Sequence, residues 1–122
     1  MVDIDDTLVE FIHGTAARLS REHNIPIPAK FGWNRKKNNC GQCSYQDGGV
    51  ITLNVKYCQD NDYCQIYETI VHEMAHLACR GDNHGQKWSA LYKAMGGSGK
   101  QFHDFEYAVS SATARVLADR VK

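Results

Sequence analysis

A chain of 122 residues fits one domain, and at that size folding buries about two-thirds of the surface the unfolded form exposes, so no staple is needed. Fourteen basic and fourteen acidic residues cancel, which excludes a strong overall field toward nucleic acid or a membrane surface; any such footprint has to be local. Five cysteines are an odd number and fit free thiols in a reducing compartment, Asp3, Asp5 and Asp6 stand where a secretory signal carries positive charge, and no run approaches the ~18 apolar residues of a membrane span. The expectation is a soluble, cytoplasmic protein.

From Ile4, the residues Leu8, Phe11, Ile12, Thr15 and Leu19 trace an amphipathic helix with acidic residues in its first turn, and Pro26 and Pro28 follow it. His13 and His23 read as exposed bystanders on it. Phe31, Trp33 and Arg35 alternate in a strand-like run that leads into the basic cluster Arg35, Lys36 and Lys37. Cys43 to Gln46 and Val50 to Val55 read as two more strands, joined by Asp47-Gly48-Gly49, whose glycines can supply the positive φ of a tight hairpin. Together these runs predict a small three-stranded antiparallel sheet. Cys40 and Cys43 have the spacing of half a zinc ribbon, but no second CxxC exists among Cys58, Cys64 and Cys79, so thiols are expected rather than a second metal.

The polar stretch from Tyr57 to Asp62 precedes a helix predicted over Tyr63 to Arg80, with a cap at Asn61-Asp62 and a stop at Gly81. Ile66, Ile70 and Met74 form its apolar stripe, and His72 and His76 fall off that stripe. Four residues apart, both histidines lie on one helix face and can present ring nitrogens to one tetrahedral Zn²⁺, while Glu73 reaches toward its open position. A catalytic zinc needs a third protein ligand, for which Asp82, His84, His103 and Glu106 are available. His84 is the best placed, because Gly81 lets the chain reverse and bring it back toward His72 and His76. Trp88, Leu91, Tyr92 and Met95 predict a further helix from near His84 to the glycines at Gly96, and Phe105, Val109, Ala112 and Val116 a last one over about 103–121. Tyr92, Tyr107 and His103 are candidates for stabilising an oxyanion.

These motifs, in this order, resemble the SprT-like metalloprotease domains, which include the Spartan proteases of DNA–protein crosslink repair. The matching residues are Trp33-Asn34, Cys43-Ser44-Tyr45 and Val50-Ile51-Thr52-Leu53 on the three strands, then Glu68 through His76, then His84-Gly85-Gln86-Lys87-Trp88. The resemblance covers roughly residues 5–97 of what is expected to be one domain over 1–122. It implies an α+β, zincin-like fold: an N-terminal helix, the small sheet, a zinc-binding helix and further C-terminal helices. It also implies a hydrolase with one catalytic Zn²⁺ on His72, His76 and His84, and Glu73 as general base. The implied substrate is a protein or peptide, with single-stranded DNA as a partner through Arg35, Lys36 and Lys37. Two other readings stay open from the residues alone. One is a non-catalytic DNA-binding or adaptor domain that keeps zinc for stability; the other is a zinc hydrolase of small peptides or amides with no nucleic acid involved.

Overall fold

The computed structural model describes residues 4–36, 40–82 and 84–97. Lys37, His103, Glu106, Tyr107 and the helix expected over 103–121 lie outside the described residues. Helix α1 (Asp6–His23) starts where the Asp5 side chain accepts the Leu8 N–H at 3.0 Å and ends at Asn24, which adopts a left-handed φ of 51°. Its buried residues are Leu8, Phe11, Ile12, Thr15, Ala16 and Leu19, so the apolar spacing predicts the buried face.

Three strands follow, β1 (Lys30–Asn34), β2 (Gly41–Ser44) and β3 (Val50–Asn54). The sheet is mixed, not antiparallel as expected: β2 and β3 pair antiparallel, while β1 and β3 pair parallel, in the order β1-β3-β2. The reason is in the connections. Gln46–Gly48 forms a single 3-10 turn with positive φ at Asp47, Gly48 and Gly49, and that local chemistry sets only the β2–β3 pair. No turn signal decides where β1 lies. Strand β3, with Ile51 and Leu53 buried, takes the centre and uses both of its edges, which leaves β1 running beside it in the same direction.

A helix that the sequence reading leaves as polar connection, α2 (Val55–Asp60), follows β3 directly. Buried Asn54 caps it, its Oδ1 accepting the Tyr57 N–H at 2.9 Å, while its Nδ2 donates to Asn34 Oδ1 and to the Lys36 carbonyl beyond β1. Helix α3 (Tyr63–Ala78) opens on a capping box in which the Asp62 carboxylate accepts the Gln65 N–H and Gln65 Oε1 accepts the Asp62 N–H. Its ten residues from Ile66 to Ala75 are all buried, because β2, α1 and the last described helix, α4 (Gln86–Ala94), enclose it on different sides. His72 therefore leaves the apolar stripe without leaving the interior, while His76, just past the buried run, is half-buried. Among the described residues no helix is long and apolar enough to cross a membrane.

Candidate metal centre

The close packing of β2 on α3 begins at Gly41, where an added Cβ would stand 2.7 Å from Thr69 Cγ2 and 3.2 Å from the Thr52 carbonyl oxygen. At the other end of the strand the Tyr45 hydroxyl donates to the His76 carbonyl at 3.0 Å, and the Arg80 guanidinium lies 4.8 Å from the Tyr45 ring centroid. These two contacts fix the sheet edge along the stretch of α3 that carries His72, Glu73 and His76.

Beyond α3 the chain turns tightly. The Asp82 N–H donates to the Cys79 carbonyl, the Gly85 N–H donates to the Asp82 carbonyl, and Asp82 Oδ2 accepts the Trp88 N–H at 2.9 Å at the start of α4. Asp82, a candidate third ligand on sequence, thus spends its carboxylate on the N-terminus of α4. Gly85 fits here because a Cβ would collide with that carboxylate. His84 takes a left-handed φ of 56°, a conformation that costs an L-residue about 1–2 kcal/mol.

The turn brings three imidazoles together. His76 Nε2 lies 3.2 Å from His72 Nε2 and 2.9 Å from His84 Nε2, and one ring nitrogen from each of the three lies within 4.8 Å of the others. Zn–N bonds of about 2.0–2.1 Å in a tetrahedral site place ligand nitrogens roughly 3.3 Å apart, close to the two short separations here. The donor set fits the ion in character as well, since three neutral imidazoles are borderline ligands suited to Zn²⁺. Burial, with His84 close by, pushes the pKa of His76 down to about 4, and burial lowers that of His84. Both rings are accordingly neutral and able to donate a lone pair at pH 7. Among the described residues no cysteine joins a cluster of three or more such ligands, and all five cysteines are free thiols.

One residue touches the whole triad. Trp88 stacks on His76 with ring centroids 5.3 Å apart and planes at 29°, and it meets His72 and His84 edge-on at 5.0 and 4.7 Å. Its indole N–H donates to the His72 carbonyl at 3.3 Å. Periodicity alone marks Trp88 as a packing residue; its position against three imidazoles depends on how α4 crosses α3.

Glu73 is 6% exposed, and burial pushes its carboxyl up to about 8. Cys43 on β2 is a neighbour: burial first, and the Glu73 charge second, raise its thiol to about 11. The wall of the site on the Glu73 side is therefore β2. Tyr92 is fully buried and its hydroxyl donates to Glu68, so it does not open onto a substrate and is not the oxyanion group. Arg35 and Lys36 are exposed beyond β1, where Lys36 Nζ donates to Gln42 Oε1 at 2.7 Å. They follow β1 and are on neither α3, which carries His72 and His76, nor the turn that carries His84.

Comparison with curated proteins and with solved structures yields no match. Comparison with protein-family models does: the SprT-like family model matches residues 10–111, a span that holds β1 to β3, α3 with His72, Glu73 and His76, and the His84 turn. On that match the chain belongs to the SprT-like family.

Proposed function

We propose that the protein is a zinc-dependent metallopeptidase of SprT-like type. The observation that carries this reading is the convergence of His72, His76 and His84, with the buried carboxyl of Glu73 next to the first of them in sequence. His72, His76 and His84 would hold one Zn²⁺, and bound there the ion supplies Lewis acidity for a water molecule and a peptide carbonyl. Glu73 supplies the proton handling. Its carboxylate accepts a proton from the attacking water and returns it to the leaving amine. Trp88 holds the imidazoles in place through its stacking and edge contacts, so the site is formed before substrate arrives.

The substrate is a protein or peptide, and family membership favours proteins attached to or near DNA. Single-stranded DNA would contact exposed Arg35 and Lys36 together with Lys37. Glu73→Gln is the test of the chemistry. Zinc content should stay at one per chain while cleavage of a protein substrate falls by ~10²–10⁴-fold, the usual worth of a general base. Equal turnover by the wild type and Glu73→Gln would remove the catalytic reading and leave the adaptor one. Charge reversal at the three basic residues should weaken single-stranded DNA binding and its salt dependence without changing zinc content.

A further inference from the structure

Glu68 is fully buried in α3, one helical turn before His72 and hence on the same face of the helix. A carboxylate taken out of water is costly unless hydrogen bonds or opposite charge compensate it. This one sits among three fully buried tyrosines. The Tyr92 hydroxyl donates to Glu68 Oε1, and the Glu68 charge adds to burial in raising the phenols of Tyr57 and Tyr67. Tyr92 then links the carboxylate to the histidines, because its ring packs edge-on against His72 with centroids 5.5 Å apart and planes at 79°.

We propose that Glu68 and Tyr92 are positioning residues for the metal site: Glu68 orients the Tyr92 ring against His72 and places a carboxylate one helical turn from the triad. The proposal rests on reading His72, His76 and His84 as metal ligands. Three neutral imidazoles leave the charge of a dication uncompensated, and a buried carboxylate at this depth offsets part of it where little water screens the interaction. A plain structural role, in which the pair only ties α3 to α4, makes a different forecast. Gln at position 68 keeps the size and an acceptor for the Tyr92 hydroxyl, so a tie would survive the change, whereas a charge would not.

The experiment measures zinc affinity by competition with a chromophoric chelator on the full chain, for wild type, Glu68→Gln and Tyr92→Phe. His84→Ala identifies the binding that belongs to the triad, and the visible absorption of the Co²⁺-substituted protein reports ligand geometry. Glu68→Gln should lose about 10–100-fold in zinc affinity and Tyr92→Phe about 10-fold, with altered Co²⁺ bands. Wild-type affinity and an unchanged Co²⁺ spectrum in Glu68→Gln would overturn the proposal. Should Glu68→Gln fail to fold, Tyr92→Phe decides, since it keeps the ring against His72 and removes only the hydroxyl; unchanged affinity there overturns the proposal too. A wild type that takes up no zinc at the triad would defeat the metal reading itself, an outcome distinct from a wild type that binds and variants that bind equally.

Discussion

At the residue scale the site carries titrations of opposite sign, with burial lowering His76 and His84 and raising Glu73. His76 is lowered from 6.5 to about 4 in the fold, so between those values the unfolded chain holds the extra proton and stability rises with pH. Glu73 is raised from 4.5 to about 8, so the fold holds the extra proton over that range and stability falls with pH. The windows overlap between 4.5 and 6.5, where the two contributions oppose each other. Above 6.5 only the Glu73 contribution is left. The metal-free protein should therefore lose stability as pH rises from 6.5 to 8, and Glu73→Gln should flatten that part of the curve. Thermal melts of the chelator-treated protein across this range are the measurement; a wild-type melting temperature that rises from pH 6.5 to 8 would contradict the assignment.

At the element scale the decisive contact is between β2 and α3. Gly41 sits where a methyl group would press on Thr69 Cγ2 and the Thr52 carbonyl, so Gly41→Ala should force the strand away from the helix. The expected loss is about 1–3 kcal/mol of stability, the usual range for overpacking a tight contact. Thr69→Ser removes the crowded methyl and should restore part of the loss in the double variant, which denaturant melts would show as a non-additive pair. Additive effects would mean that Gly41 acts through its backbone freedom instead. The capping box at Asp62 and Gln65 acts at the same scale, fixing where α3 begins.

For the whole molecule, a ligand that binds only the folded state adds to its stability. Zinc at 100 times its dissociation constant should add about 2.7 kcal/mol, and the melting temperature should drop on chelation. His84→Ala should abolish most of that zinc-dependent gain, since His84 closes the triad from a separate turn. Asp82→Asn should retain it, because the amide oxygen can still accept the Trp88 N–H that begins α4. Loss of the zinc-dependent shift in Asp82→Asn with retention in His84→Ala would exchange the two assignments.

Legibility in the sequence followed the range of the interactions involved. The buried face of α1, the start of α3 at Asp62 and the placement of His72 and His76 on one face follow from spacing and capping chemistry, which act within a turn or two of helix. Family membership was legible as well, because ordered short motifs from Trp33 to Trp88 survive without any knowledge of how they meet. Helix α2 was not, since its cap is Asn54 at the end of a buried strand, and the polar residues after it read as a connection. The parallel β1–β3 pairing, the use of Asp82 as a cap, the burial of Tyr92 on Glu68 and the contact of Trp88 with three imidazoles were decided only by tertiary structure. Each depends on partners 12 or more residues away or on the strained turn between Cys79 and Gly85, whose direction the packing of α4 against α3 determines and local propensity does not.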